Sequence, residues 1–194
     1  HSRRPNPMVA ALPSSPVTDF QSALGPAPTC IPFGFPDDGC WGRAHEMYRL
    51  MANQGVACNK VWIYGNLRAA TINNPRCEVR WGWHVAPTLL VTTGSLPETY
   101  VIDPSLFPRP VNQATWASVQ GDPGAQLVGT AGAVFYRSTS GVTQADPSFT
   151  ETNRVLAHYR DNLRLRSVGP DGPPPYEFAE KPPEGPRFFL PQAH

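Results

Sequence analysis

The spacing of hydrophobic residues predicts two helices near opposite ends of a central region. Ala44, Met47, Tyr48 and Met51 recur at the spacing of one helix face. Acidic residues precede them and a glycine follows, as is typical of helix ends, so we predict a helix over about residues 41–53. Four apolar residues predict a second amphipathic helix: Val155, Leu156, Tyr159 and Leu163.

The region between the two helices carries strand signals. β-Branched and aromatic residues with turn residues between them predict four strands, at 60–67, 79–91 (bent near Pro87), 99–102 and 132–137. A short helix is predicted around 111–119. Strands that follow one another through turns pair antiparallel, so the sequence predicts an α+β fold in which an antiparallel sheet packs against the first helix.

Proline and glycine are concentrated at the two ends of the chain, which has 24 prolines and 16 glycines among 194 residues. We predict three segments: a Pro-rich N-terminal segment 1–28, a catalytic domain 29–167 and a Pro-rich C-terminal arm 168–194. The last segment cannot propagate a helix or a central strand and is either disordered or an extended arm. Its apolar residues favour an arm that packs on the domain: Tyr176, Phe178, Phe188, Phe189 and Leu190.

Charge and hydropathy exclude two classes of partner. The formal net charge is +1, which gives no electrostatic footprint for nucleic acid or an anionic membrane surface. No stretch approaches the roughly 18 apolar residues of a membrane span. The chain begins with His1 instead of methionine, which suggests a processed start; we therefore expect secretion.

The chain has four cysteines without a C-x-x-C pair, so the spacing of zinc ribbons and thioredoxins is missing, and we predict no metal site. Cys40 lies at the predicted start of the first helix. Unpaired N–H groups and the helix dipole favour a thiolate there, and the same N–H groups can bind an oxyanion. The alternative is a structural or disulfide-bonded cysteine.

His84 lies in the second predicted strand. Strict alternation places it on one face with two small neighbours, Gly82 and Ala86, which leave the imidazole open to a partner. The same alternation places three larger residues on the other face: Trp81, Trp83 and Val85.

Asp103 ends the next predicted strand and lies 103 − 84 = 19 residues after His84. A hairpin with its turn near Gly94 would place the two side chains next to each other, although Asp before proline is also a common turn residue. Cys40, His84 and Asp103 then follow the logic of a nucleophile, its base and the group that orients the base. They predict a cysteine-dependent amide hydrolase, with His45 as a second candidate for the base.

Several segments resemble the bacterial protein-glutaminases, also called protein-glutamine deamidases. Residues 39–47 resemble the family's Gly-Cys-x-x-Arg-Ala-His-x-Met box, and residues 61–69 its Tyr-Gly-Asn-Leu-x-Ala strand. Residues 81–86 are similar to its Trp-x-Tyr-His-Val-Ala segment, and residues 102–107 to its Ile-Asp-Pro-Ser-Leu-Phe box. The resemblance covers about residues 28–140, in order and with similar spacing.

The resemblance places the family's triad on Cys40, His84 and Asp103. It implies hydrolysis of the side-chain amide of protein-bound glutamine to glutamate and ammonia through a thioester. It also implies a papain- and transglutaminase-like core, no metal or organic cofactor, and protein or peptide substrates that carry glutamine. We expect a monomer.

Four residues are candidates for the substrate cleft. Trp41, Tyr64 and Trp83 would line it, and Asn66 would donate to the substrate amide; core packing for the aromatic residues and a turn for Asn66 are the alternatives. The chain has one cysteine, Cys77, where the family has adjacent cysteines, and it lacks the family's later cysteines. We expect a disulfide between Cys58 and Cys77, with Cys30 spare.

Other functions use the same three residues. Transglutaminase-like acyl transfer and peptide-bond cleavage differ from deamidation only in the acceptor and the shape of the pocket. A toxin or effector that deamidates one host protein is a further alternative. The last is a non-catalytic binding module in which Cys40 is structural and the Pro-rich ends recruit partners.

Overall fold

The computed structural model describes residues 31–92 and 94–177. The predictions for the N-terminal segment, for Cys30 and for most of the C-terminal arm lie outside these residues. The described helices are α1 (Cys40–Asn53), α2 (Gln113–Ser118) and α3 (Thr150–Ser167). The described strands are β1 (Asn59–Ala70), β2 (Glu78–Thr92), β3 (Pro97–Val101), β4 (Val111–Asn112), β5 (Gln126–Ala131), β6 (Val134–Arg137) and β7 (Thr143–Ala145).

The described strands form a five-stranded sheet in the order β4-β3-β2-β1-β5 and a separate β6-β7 hairpin. Every pair of neighbouring strands is antiparallel. The predicted α+β fold, with an antiparallel sheet packed against a helix that carries Cys40, is therefore confirmed. The single strand predicted at 132–137 is wrong in part: β6 begins at Val134, and β5 precedes it. Most of β5 is exposed, so it lacks the apolar alternation that identifies a half-buried strand.

The core consists of clusters that join the helices to the sheet. Helix α1 contributes Cys40 and Ala44 to a cluster with residues of β1 and β2: Trp62, Tyr64 and Val85. A second cluster joins neighbouring positions of β1 and β2, and the last residue of β3, to α2: Val61, Ile63, Ala86, Val101 and Trp116. The sheet therefore positions α1 and α2 around the part of β2 that carries His84, the predicted base.

The pairing of β1 with β2 is irregular between Tyr64 and Leu67. Trp83 pairs with Tyr64, whereas Trp81 pairs with Leu67. Paired residues share a sheet face, and Tyr64 and Leu67 belong to different core clusters. The alternation along β2 is therefore broken at Gly82, as a β-bulge does. The prediction that Trp81 lies on the face away from His84 is wrong, because it assumed unbroken alternation.

Cys58 and Cys77 are free thiols, so the expected disulfide between them is wrong. Cys58 directly precedes β1, whereas Cys77 precedes Glu78, the residue that pairs with the last residue of β1. Strand β1 has 12 residues, so the two cysteines are separated by about 40 Å along the strand. A disulfide requires Cα atoms within about 7 Å.

The first residues of the C-terminal arm pack on the domain. Tyr176 is buried, its backbone N–H donates to the Ile72 carbonyl oxygen at 2.7 Å, and its hydroxyl donates to the Gly172 carbonyl oxygen at 2.9 Å. The arm is thus fixed to the domain as far as its described residues extend, and Phe178, Phe188, Phe189 and Leu190 lie beyond them. Within 31–92 and 94–177, no helix has the length and apolar character that a bilayer crossing requires.

Candidate active site

Cys40 is the first residue of α1, and the loop before it is fixed from several sides. Gly39 has φ 79°, a left-handed conformation that favours glycine. Arg43, one turn into the helix, donates from Nη1 to the carbonyl oxygens of Phe35 at 2.9 Å and Asp38 at 2.5 Å. Its guanidinium is buried. The buried cation therefore holds the loop that determines where the nucleophile begins.

The start of α1 also supplies hydrogen-bond donors. The first N–H groups of a helix have no acceptor within the helix, and in α1 these belong to Cys40 and the residues that follow it. The Cys40 side chain is 5% exposed. An oxyanion formed beside its sulfur would therefore meet backbone donors and the positive end of the helix dipole.

His84 and Asp103 form a buried hydrogen-bonded pair. The distance from His84 Nε2 to Asp103 Oδ2 is 2.7 Å, and the two side chains are 1% and 4% exposed. A carboxylate only accepts hydrogen bonds, so His84 donates from Nε2 and its Nδ1 is left for another partner. Asp103 also accepts from Trp116 Nε1 at 2.8 Å and from the Ser105 N–H at 3.2 Å. Three donors thus fix the carboxylate that orients the imidazole.

His84 Nδ1 makes no hydrogen bond of normal geometry to the described residues. Cys40 is nevertheless close enough to change the pKa of His84. Burial acts to lower that pKa, but Asp103, and after it Cys40, raise it to about 9. The imidazolium is therefore favoured at neutral pH, next to a sulfur that can carry the compensating negative charge.

Two tryptophan rings pack against the His84 ring. The Trp81 ring stacks on it with centroids 4.3 Å apart and an interplanar angle of 4°. Trp116 lies at 5.7 Å and 24°. Flat aromatic neighbours leave the imidazole little freedom to rotate, so its two nitrogens keep their directions.

His45, the second candidate, is not placed to act as the base for Cys40. Its Nδ1 accepts from Lys60 Nζ at 2.8 Å, and its Nε2 lies 3.4 Å from the Asp146 carbonyl oxygen. Burial, followed by the charge of Lys60, lowers its pKa to about 4. Both ring nitrogens are therefore engaged in a buried cluster, and the structure brings His84, not His45, to Cys40.

The four candidates for the substrate cleft divide into two groups. The Trp41 and Trp83 rings have centroids 5.7 Å apart, and both pack against the cluster that contains Cys40 and Tyr64. The Tyr64 hydroxyl donates to the Arg137 carbonyl oxygen at 3.0 Å. Asn66 lies at the β1 irregularity, where its backbone N–H donates to Asp122 Oδ2 at 2.8 Å. The structure thus collects the three aromatic residues near Cys40 and gives Asn66 a turn-like backbone role.

Three residues of the site are missing from the sequence prediction: Arg43, Trp81 and Trp116. A signal existed for Arg43, because residues three apart share a helix face and Cys40 is three residues before it. In the sequence, Trp116 is a large apolar residue in a short predicted helix, and nothing in that pattern indicates its hydrogen bond to Asp103. In the described part of the chain, no group of three or more His, Cys, Asp or Glu side chains is arranged to hold a metal ion.

The sequence matches the model of a known protein family. A family described as "Glutaminase" matches residues 15–120, which is more than half of the chain. No curated protein matches the sequence.

Solved structures are similar to this chain in sequence and in fold. The crystal structure of a protein-glutaminase is 33% identical, with a TM-score of 0.62, over 73% of this chain and 85% of that one. The NMR structure of protein-glutaminase from Chryseobacterium proteolyticum is 32% identical, with a TM-score of 0.63, over 75% of this chain and 88% of that one. A crystal structure of pro-protein-glutaminase is 34% identical, with a TM-score of 0.63, over 72% of this chain and 54% of that one. With a family match of this extent and structural relatives of this identity, the chain belongs to the protein-glutaminase family.

Proposed function

We propose that this protein hydrolyses the side-chain amide of protein-bound glutamine, giving glutamate and ammonia. One observation supports this most directly: in a chain of the protein-glutaminase family, the buried His84–Asp103 pair adjoins a cysteine at the first position of a helix. Cys40 is the nucleophile, His84 the acid and base, and Asp103 the group that orients His84.

The first half-reaction forms a thioester. Cys40 Sγ, whose proton resides on His84 Nδ1, attacks the glutamine Cδ; a C–S bond forms and the carbonyl π electrons move to oxygen. The first N–H groups of α1 stabilise this oxyanion. When the carbonyl re-forms, the C–N bond breaks, and His84 Nδ1 gives its proton to the departing nitrogen, which leaves as ammonia.

The second half-reaction consumes water. His84 Nδ1, now neutral, takes a proton from a water molecule, whose oxygen attacks the thioester carbon. The C–S bond breaks and the sulfur leaves as a thiolate beside the imidazolium, which restores the starting state. The sum is amide plus water giving acid plus ammonia, with no net change in the enzyme.

The cleft residues follow from the same assignment. Trp41, Trp83 and Tyr64 form an aromatic wall beside Cys40 that suits the aliphatic part of a glutamine side chain. Asn66 is two residues after Tyr64 in β1; besides its backbone bond to Asp122, we assign its side-chain amide as a donor to the substrate amide. Protein or peptide chains that carry glutamine are the substrates.

Ammonia release from a glutamine-containing protein under reducing conditions tests the proposal. We expect the wild type to release ammonia and to leave the mass gain that converts each amide to an acid. Cys40→Ala removes the nucleophile, so the release should fall to background. Cys58→Ala is the matched control, because Cys58 is a free thiol that packs in a different cluster, and it should stay active.

Other products would change the assignment. Ammonia release that persists in Cys40→Ala would contradict the mechanism, and none from the wild type would contradict the function. Cross-linked products would indicate acyl transfer, and fragments would indicate peptide-bond cleavage. A single susceptible protein among many would indicate a host-directed effector.

We also propose a division of the chain, an oligomeric state and a location for the protein. Residues 29–167 form the catalytic unit, and the C-terminal arm from 168 is an accessory segment. The protein acts as a secreted monomer that requires neither nucleic acid nor a membrane. Gel filtration of the active protein tests the oligomeric state, and fractionation of the producing cells tests secretion.

A further inference from the structure

Trp81 makes two kinds of contact, one through the face of its ring and one through its indole N–H. The face of its indole ring stacks flat on His84, at 4.3 Å between centroids and 4° between planes. Its Nε1–H lies within hydrogen-bond distance of two backbone oxygens, 3.1 Å from that of Pro36 and 3.2 Å from that of Asp37. One side chain thus joins the imidazole to a loop that is distant in sequence.

The loop that Trp81 contacts, residues 35–39, leads directly to Cys40 and is called the nucleophile loop. Asp37 is followed by Asp38, by the left-handed Gly39 and by Cys40 at the start of α1. Arg43 holds the carbonyl oxygens of Phe35 and Asp38 in the same loop. Trp81 is thereby fixed to the segment that sets the position of the Cys40 sulfur.

Trp116 also packs near His84 but makes a different connection. Its ring lies 5.7 Å from that of His84, and its Nε1–H donates to Asp103 at 2.8 Å. Trp116 therefore supports the carboxylate end of the triad, whereas Trp81 supports the cysteine end. Trp81 is partly exposed, so its contacts do not serve burial alone.

The stacking has an electrostatic consequence. An aromatic face attracts a cation, so a flat indole over the ring favours the imidazolium form of His84. The charged and titratable groups that act on His84 are Asp103, two residues after β3, and Cys40 of α1. Arg43 of α1 interacts with both of these. The indole adds its attraction to that of Asp103 without bringing another charge into the site.

We propose that Trp81 is a positioning residue of this active site: its ring holds the His84 imidazole in the plane that directs Nδ1 at Cys40, while its N–H fixes the distance between the base and the nucleophile loop. The inference rests on the proposed deamidation for its role in catalysis. The two contacts are separable, because phenylalanine keeps an aromatic face and has no N–H, whereas leucine has neither.

Two variants test the separate contacts. Trp81→Phe should lower kcat about tenfold with KM little changed and leave the pKa of His84 close to the wild-type value, because misplacement of a reacting group costs rate. Trp81→Leu should lower kcat about a hundredfold and also lower the pKa of His84 by about one unit, because the ring contact is lost. Histidine NMR titration measures the pKa, and ammonia release against substrate concentration measures kcat and KM.

Trp62→Phe is the matched control for the loss of a buried indole N–H. Trp62 is fully buried and donates to Thr130 Oγ1 at 2.9 Å; its recorded ring contact is with Trp83, not with His84. This control should lose thermal stability without a change in the pKa of His84. If Trp81→Leu does not fold, the rate of Trp81→Phe still decides the positioning claim.

The outcomes that overturn the proposal differ from those that overturn the function. An active wild type whose Trp81→Leu and Trp81→Phe variants retain the kcat and the His84 pKa would overturn the role of Trp81. So would changes no larger than those of Trp62→Phe. If the wild type releases no ammonia, the deamidase assignment fails, but the NMR titration still tests whether Trp81 sets the protonation of His84.

Discussion

At the scale of single residues, Asp103 determines the state of His84. Its carboxylate accepts from the imidazole, from the Trp116 indole and from a backbone N–H. Burial acts to raise the pKa of Asp103, but the charge of His84 and these hydrogen bonds lower it overall. The carboxylate therefore stays ionised and keeps the imidazole protonated near neutral pH.

Asp103→Asn should lower kcat by about a hundredfold or more, because the amide holds neither the tautomer nor the charge of His84. Asp103 raises the pKa of His84 toward 9, so the imidazolium persists until the pH reaches that value. Without the carboxylate, the alkaline limb of the pH–rate profile should move to lower pH. Asp161→Asn, which changes an exposed carboxylate on α3, should keep the wild-type profile; an unmoved limb in Asp103→Asn would contradict the prediction.

The sequence predicted Cys40, His84 and Asp103 as a group because each lies at a position with its own chemical signal: a helix start, a strand and a strand end. It did not identify Trp81 as a neighbour of His84. Strict alternation separates the two residues, and only the break at Gly82, which depends on pairing with β1, reverses the result. The contact therefore exists only in the folded sheet.

At the scale of elements, the junction between the nucleophile loop and α1 depends on α3. Tyr159 of α3 packs against Gly39, and its hydroxyl donates to Asp38 Oδ2 at 2.6 Å. Arg166 of the same helix binds Asp37 at 2.9 Å. The second amphipathic helix, whose apolar spacing is visible in the sequence, thus fixes the backbone before Cys40. The sequence alone does not show this contact, because Asp38 and Tyr159 are 121 residues apart.

Gly39→Ala should lower both stability and kcat. The backbone at residue 39 has a left-handed φ of 79°, which is unfavourable for alanine, and the added methyl group would collide with the Tyr159 ring. Gly55→Ala is the matched control, because Gly55 has φ 74° with open space around it. We expect Gly55→Ala to cost only the backbone term of about 1 kcal/mol and to keep its activity.

Denaturant unfolding and ammonia release measure the two effects. The loss in Gly39→Ala should exceed that in Gly55→Ala and should be accompanied by a fall in kcat, since the loop moves. Equal losses in the two variants, with kcat retained, would show that α3 does not hold the loop in place.

At the scale of the whole molecule, a buried amine couples stability to pH. Lys60 is 1% exposed, and its Nζ donates to His45 Nδ1 and, at 2.6 Å, to the Val134 carbonyl oxygen. Burial lowers its pKa to about 7, whereas an unfolded lysine titrates near 10.4. Between these values the unfolded chain binds more protons, so Lys60 makes stability rise with pH.

Comparison with Lys60→Met isolates this effect. The free energy of unfolding of the wild type minus that of the variant should increase by about 1.4 kcal/mol per pH unit above pH 7. The raised pKa of His84 changes stability in the opposite direction, because the stabilisation it provides is lost as the pH rises toward 9. This effect of His84 is the same in the wild type and in Lys60→Met, so it cancels in the difference. Urea unfolding at pH 7 and pH 8.5 measures the difference; a difference that does not change with pH would contradict the assignment.

The sequence predicted the overall arrangement of helices and strands, because α1 and α3 carry helical periodicity and β1 and β2 are rich in β-branched and aromatic residues. It did not predict β5, which is largely exposed, or the burial of Lys60 near the start of β1. Lys60 stands in an apolar strand, and only the folded arrangement shows that His45 and a backbone oxygen receive its amine. The guessed disulfide failed for a similar reason, because the pairing of β1 with β2 separates Cys58 from Cys77.

The packing around the His84 ring has a consequence for the order of events. Nε2 is bound to Asp103 and the ring packs against Trp81 and Trp116, so Nδ1 alone serves both proton transfers. Ammonia must leave that position before a water molecule can be activated there. The two half-reactions are therefore strictly sequential, and ammonia that accumulates competes with water for the thioester and returns it to glutamine.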